Sequence, residues 1–480
     1  MNMKTIQEYC KAIPSIEIPE RKGMVETLTD AMMTSGMLVF DNAKPYMRCN
    51  DYYHSINEEE AYAVIFTMLS PSSRLIVSSS AIKECYKRLV FLPELQRDME
   101  EKFFENQYLL HVTNGVFDIM QQELLQHDIR YCFNYMLNFN YIPDRQLSDA
   151  PVFKRYVETS IGMENLNCLL RTTAYCCSSL TKGRKAALMI GLGKTGKSTW
   201  LNLMETVVGK DLASHEPFHT MSNQQSKAKY VGKRINISRD NSNKPMKFED
   251  SFKSLISCEE TTGRNLYENS KDFLPTLKFI FASNCDLNFA HPDDAVYDRL
   301  VILPFTRAIP DEQKDPELEE KLIAEKDVIF SMAVDTLKAF VQSRYDFCMS
   351  QEAEEMIAHK RMELHSVEEF LQESCVLDTN GSISSLVLSH TYESWCREND
   401  MPPIGRNGFY KGIKNFSKKI QYKKVLYNGK YVNGFCGIRF KGTTVQETEP
   451  EIPVMTEKIS KDMHSKIREC QDVTEETDNG

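Results

Sequence analysis

The chain has 480 residues, 41% hydrophobic and 26% charged, with only 20 glycines and 18 prolines. That suffices for about three domain cores and excludes a collagen-like, wholly disordered or coiled-coil chain. The net charge of −10 conceals a segregation, because residues 401–442 hold ten Lys/Arg and no acid while 443–480 carry ten acids against four bases; an acidic total therefore does not exclude nucleic-acid binding by a local basic surface.

No apolar run approaches a membrane span and the first residues lack a secretory core, so a cytoplasmic protein with no membrane partner is expected. Fourteen scattered cysteines without a C-x-x-C pair read as reduced thiols, and the ten histidines show no ligand spacing, so no metal site is expected from them.

Residues 1–100 predict a helical N-terminal region, as in Asn57–Leu69, where Ala61, Val64, Ile65 and Leu69 recur near helical spacing. In 101–165, short apolar runs around Asn114-Gly115 predict a hairpin. In 166–310, Ala186–Ile190 reads as a buried strand, Gly191–Lys197 as a glycine-punctuated loop and Ser198–Val208 as a helix stopped by Gly209. Further strands at Arg234–Ser238, Leu277–Ala282 and Leu300–Leu303, with a helix at Phe248–Ser257, predict a parallel-sheet α/β domain. Residues 311–362 read as a helical linker.

In 363–442, Ser366-Val-Glu-Glu369 reads as a capping box opening a helix. A second helix carries Leu388, Tyr392, Trp395 and Cys396, and a third runs from Gly408 to Ile420. Two strand-like runs flank Asn428-Gly429, a strong hairpin signal. Three helices and a basic hairpin predict a winged-helix DNA-binding domain. Residues 443–480 read as a disordered acidic tail.

Gly191-Leu-Gly-Lys-Thr-Gly-Lys-Ser198 fits G-x-x-x-x-G-K-[ST], a P-loop. Glycines let backbone N–H groups approach phosphates, Lys197 reaches the β/γ oxygens and Ser198 holds Mg²⁺. Gly191, Gly193, Lys194, Thr195, Gly196, Lys197, Ser198 and Thr199 are thus the expected ATP-binding positions. Asp240, closing Arg234-Ile-Asn-Ile-Ser-Arg-Asp240, is the candidate second metal residue, although the same acid opens the polar turn 240–245. Asn284, at the end of the next strand, could orient the attacking water or simply form a turn.

In chain order, Thr113-Asn-Gly-Val-Phe-Asp-Ile119, the P-loop, Val231–Asp240, Phe252–Ser257, Gly263–Glu268, Leu277–Asn284 and Asp298–Phe305 resemble superfamily-3 helicases, specifically the helicase half of phage, plasmid and poxvirus-type primase-helicases. The likeness spans roughly 100–310 and, loosely, 365–440. It implies an AAA+-like P-loop motor with a C-terminal winged helix, driven by ATP and Mg²⁺ and encircling single-stranded DNA at forked DNA as a homo-hexamer. By that likeness Lys197 and Ser198 are Walker A, Asp240 is the Walker B acid, Asn284 the sensor and Arg299 the arginine finger. The same likeness implies that Arg264 and Lys271 belong to a pore-side DNA-binding hairpin. Lys411, Lys414, Lys418, Lys419, Lys423 and Lys424 are the expected DNA contacts of the basic domain.

Two positions depart from relatives: Arg239 precedes Asp240 where paired acids are common, and Asp298 stands where a second arginine is common. The first 160 residues leave little room for an attached primase, so a separate one is expected. Two other functions stay open. One is an ATP-gated replication initiator or regulator without unwinding. The other, a small-molecule P-loop kinase, leaves the basic block unexplained.

Overall fold

The computed structural model describes residues 3–11, 13–19, 23–239, 246, 248–264, 270–284, 289, 292–307, 315–401 and 403–442. Asp240 and the acidic tail lie outside the described residues. The chain divides into two compact units between Arg361 and Met362.

In the first unit, the helices Met24–Ser35, Glu58–Met68 and Ser79–Val90 follow the expected periodicity. Asn57 caps the second of them, accepting from Glu60 N while the Glu60 carboxylate accepts from Asn57 N, a reciprocal pair that fixes the helix start. The reading of the first hundred residues as a helical region misses, however, an antiparallel sheet of β1 (Leu38–Asp41), β2 (Lys44–Cys49) and β3 (Tyr52–Ser55). Its turns place Asn42, Ala43 and Asn50 at φ 48°, 65° and 56°, conformations that asparagine tolerates. No Asn-Gly pair marks these turns, and the buried run Leu38-Val-Phe40 shows no alternation. The hairpin around Asn114-Gly115 is present as β4 (Leu109–Val112) and β5 (Gly115–Asp118), extended by β6 (Glu123–Leu125).

Seven strands follow: β7 (Ala186–Ile190), β8 (Ala213–Ser214), β9 (Ile235–Ser238), β10 (Thr261–Gly263), β11 (Lys271–Phe273), β12 (Lys278–Ser283) and β13 (Leu300–Pro304). β10 and β11 pair as a hairpin, and the other five form a parallel sheet in the order β13-β7-β12-β9-β8. Alternate residues enter different cores. Ala187, Met189, Ile280, Val301 and Leu303 pack with Trp200, while Leu188, Ile190, Phe279, Phe281 and Ile302 pack with Phe218 and Phe252. A parallel sheet covered on both faces gives unbroken apolar runs, which makes Ala186–Ile190 legible in the sequence. With a neighbour on each side of β7, the loop that follows it opens at the carboxyl ends of three adjacent strands, where parallel sheets place ligands.

The second unit packs the helices Ser385–Glu398 and Arg406–Phe416 on an antiparallel sheet of β14 (Cys375–Ser384), β15 (Gln421–Tyr427) and β16 (Lys430–Phe440), ordered β14-β16-β15. Phe370, Leu388, Tyr392, Phe409, Ile413 and Phe435 form its core. The Ser366 capping box is a correction. Ser366 lies inside the helix Gln351–Ser374, and its hydroxyl shares a 2.8 Å hydrogen bond with Tyr392 Oη. No glycine or proline between Gln351 and His365 ends the preceding turns, so the S-x-x-E pattern never meets a helix start. The third helix likewise begins at Arg406 and stops at Phe416, ahead of a Ser417–Ile420 turn.

All twelve cysteines among the described residues are free thiols, and no helix there is long and apolar enough to cross a membrane.

Candidate functional site

The loop leaving β7 is held from both flanks. Phe305 N donates to Ile190 O at 2.7 Å and Gly191 N to Ser283 O at 3.2 Å. A Cβ on Gly191 would lie 1.9 Å from the Phe305 carbonyl oxygen, so only glycine lets the chain after β13 approach this closely. Gly196, at φ 90°, faces Tyr156 and Ser160, which a Cβ would meet at 2.8 and 2.9 Å. Gly193 has nothing within 4 Å of its Cβ position, and Lys194 takes φ 67°.

Lys197 Nζ donates to the carbonyl oxygens of Gly191 (2.6 Å) and Leu192 (2.8 Å) and to Thr195 Oγ1 (3.3 Å), so the ammonium lies within the curve of the loop. Burial there holds its pKa below the ordinary lysine value. The helix Lys197–Val208 starts at Gly196 with no side-chain cap, which leaves the positive potential of its first-turn N–H groups unneutralised. Ser198 is exposed in that turn and Thr199 half-buried. Glycines in the loop, an ammonium within its curve and an uncapped helix N-terminus are features that favour an anion.

Asn284 is exposed and directly follows Ser283, whose carbonyl binds Gly191, so the structure brings it beside the loop. β9 runs parallel to β12 with Ser238 opposite Phe281, and it leads toward Asp240. Arg239 is held by the Glu205 carboxylate on the loop helix, a group that also lies 3.2 Å from His215 Nε2. The arginine before Asp240 is therefore an ion-paired link between this helix and the strand.

Arg299 is not brought to the loop. Its carbonyl accepts from Ala186 N, and β13 runs from there alongside β7 to Pro304 opposite Ile190. Five residues at about 3.3 Å each separate it from Gly191 along the sheet. Its guanidinium donates to Ser257 Oγ at 3.1 Å and to Ala295 O at 2.8 Å. Asp298, the residue before Arg299, pairs with Arg361.

Sequence reasoning missed one wall of the site. A cavity of about 920 Å³ opens beside Lys194, Gly196 and Thr199, bounded by Val152, Arg155, Tyr156 and Thr159 of the helix Pro151–Ser160 and by Pro316, Leu318 and Glu319. Tyr156 Oη donates to Gly196 O at 3.1 Å, its ring stacks on Trp200, and burial raises its pKa well above the ordinary tyrosine value. The helix itself is anchored by the Glu325 carboxylate, which accepts from Val152 N and Phe153 N. Nothing local in residues 151–160 points to a loop 40 residues away.

The β10–β11 hairpin pairs Gly263 with Lys271, so Arg264 and Lys271 both stand at its tip end. Arg264 is exposed and its backbone N donates to Gln224 O; the Lys271 side chain lies outside the described residues. In the second unit Lys414, Lys418, Lys419, Lys423 and Lys424 are exposed, and Lys411 is half-buried. One of the ten bases is locally neutralised, since Arg439 Nε lies 2.8 Å from Asp378.

Three family models match parts of the chain. One described as "D5 N terminal like" matches residues 58–162, one described as "Family of unknown function (DUF5906)" matches 189–299, and one described as "Poxvirus D5 protein-like" matches 365–435. The chain is 22% identical over 239 residues to "Putative helicase L207/L206" of Acanthamoeba polyphaga mimivirus, a match covering 47% of this chain and 24% of that protein. It thus spans about a quarter of that relative's length. Among solved structures, two apo structures of the NrS-1 C-terminal region each show a TM-score of 0.46 at 12% identity, covering 85% of this chain and 98% of theirs.

Proposed function

We propose that this chain is an ATP-driven DNA helicase of superfamily-3 type, working in the replication of a phage, plasmid or other mobile element. The observation that carries the reading is the loop after β7, where two glycines permit contacts that a Cβ would forbid and where Lys197 lies within the curve. Its donor set matches a nucleoside triphosphate: backbone N–H groups, one ammonium, and a first-turn hydroxyl at Ser198. The D5-type descriptions of two matched models and the helicase name of the viral relative support a replication role.

In this reading Gly191–Thr199 bind ATP, with Ser198 and Asp240 holding Mg²⁺, which neutralises charge on the phosphate oxygens. Lys197 exchanges its carbonyl partners for the β/γ oxygens. Asn284 orients the attacking water. Arg299, a strand's length from its own loop, serves the loop of a neighbouring subunit in a homo-hexameric ring. Arg264 and Lys271 contact the single strand inside that ring, and the second unit acts as a winged helix on forked DNA.

The exposed lysines of the second unit favour one other reading, an ATP-gated initiator that binds DNA without unwinding it. The deciding experiment measures ATPase rate with and without single-stranded DNA, alongside the mass of the ATP-bound assembly. The motor reading expects stimulation and a ring mass. ATP-dependent DNA binding without stimulation supports the switch.

A further inference from the structure

β15 and β16 turn at Asn428-Gly429, whose φ values of 44° and 74° are those of the tight two-residue hairpin turn. The register sets Leu426 opposite Tyr431 and Lys424 opposite Asn433. Positions two apart on a strand share a face, so Lys424, Leu426 and Tyr431 stand together near the end of the hairpin. Leu426 is 62% exposed and Tyr431 73%, whereas the neighbouring Val425 is 4% exposed. Side chains directly opposed in this way lie about 4.5–5.5 Å apart at Cβ and form one apolar surface.

This surface differs from the rest of the domain's aromatics. Tyr422 contacts the rings of Tyr410 and Phe435, and Lys414 lies 5.2 Å over it. Tyr431 has no ring or cation contact among the described residues. Lys424 shares the face of the pair, while Lys423 and Lys430 are its neighbours along the strands on the other face of the hairpin; all three are exposed, and none has an acidic partner among the described residues. A lone exposed tyrosine needs no explanation; an aromatic-aliphatic pair beside a same-face lysine, at the end of a hairpin that carries two more, selects a partner that is both anionic and flat-faced.

Nucleic acid has both properties, but a duplex buries its base faces in the stack and offers phosphates and base edges instead. Base faces become available where bases are unstacked. We infer that the Leu426/Tyr431 pair binds unstacked bases of single-stranded DNA, such as the free arm of a fork, while Lys424 on the same face holds a flanking phosphate. The inference rests on the proposed DNA-binding role of the second unit and adds to it a preference for single strands, located at the hairpin's end.

The test uses the full chain with a fluorescent oligothymidylate and a blunt duplex of equal length. Tyr431→Ala is expected to weaken single-strand binding about five- to a hundredfold and to change duplex binding less than twofold. The slope of log K against log salt should stay as in the wild type, because no phosphate contact is lost. Tyr431→Phe should restore single-strand affinity. Undiminished single-strand binding by Tyr431→Ala, or an equal loss on both DNAs, overturns the inference and leaves the exposed pair to a protein partner. The parent reading fails separately, if replacing Lys418, Lys419, Lys423 and Lys424 by Gln leaves the salt slope unchanged.

Discussion

In the first unit the candidate site is set by buried atoms a few ångströms apart. Lys197 is bonded to three oxygens of its own loop, and a methyl added at Gly191 would strike the Phe305 carbonyl. In the second unit the candidate surface is a set of exposed lysines, at Lys418 and Lys419 beyond a helix and Lys423 and Lys424 on β15, with no single atom that organises them. The first kind of site fails when one group is removed. The second weakens by fractions, one phosphate contact at a time.

The largest expected effect is at the loop. Lys197→Ala should reduce ATP hydrolysis about 10³-fold or more, because it removes the charge that follows the transferring phosphoryl group. Asp240→Asn should impair Mg²⁺-dependent turnover more than nucleotide binding; near wild-type turnover would discard its assignment as the metal acid. If single lysine replacements in the second unit abolished ATPase equally, the contrast between the units would be lost.

Next comes Arg299. Arg299→Ala should lower kcat by about 10³-fold, yet leave each subunit's own loop intact because the residue sits at the far end of β13. Mixing Arg299→Ala with Lys197→Ala subunits should recover part of the ATPase, at interfaces that pair an intact loop with an intact arginine. No recovery in verified mixed assemblies would count against action across subunits.

A structural effect follows. Gly191→Ala should destabilise the first unit by about 1–3 kcal/mol, read as a lowered unfolding midpoint, while Gly209→Ala is a sterically open comparison with nothing within 4 Å. Because Gly209 also has φ 98°, some strain remains there, and the difference between the two variants reports the clash at Phe305. Equal destabilisation would show that strain, not the close approach, dominates at Gly191.

The smallest effect per residue belongs to the basic surface. Replacing Lys418, Lys419, Lys423 and Lys424 together by Gln should flatten the slope of log K against log salt by roughly 3 units, at about 0.7–0.9 for each contact. ATPase without DNA should be largely unchanged. An unaltered slope would move DNA contact to the β10–β11 hairpin.

What the sequence made legible was local. The Gly191–Ser198 spacing, the buried run before it and the Asn428-Gly429 turn each depend on neighbours within a few residues, and the structure has all three. What it hid depends on distance or on the absence of a marker. Tyr156 supports Gly196 from 40 residues upstream, and the β1–β3 turns use Asn42-Ala43 and Asn50 without glycine. Ser366 carries a capping pattern that tertiary structure overrides by continuing the helix. Leu426 and Tyr431 look like ordinary strand residues until the register and their exposure set them side by side.

The central claim is that energy from the loop after β7 is spent on separating DNA strands. Strand displacement on a forked duplex by the full chain tests it most directly, with ATP present or withheld and with Lys197→Ala in parallel. Displacement that requires ATP and disappears with Lys197→Ala is the expected result. ATP-dependent binding of the fork with the strands left paired would contradict the motor and leave the nucleotide as an assembly switch.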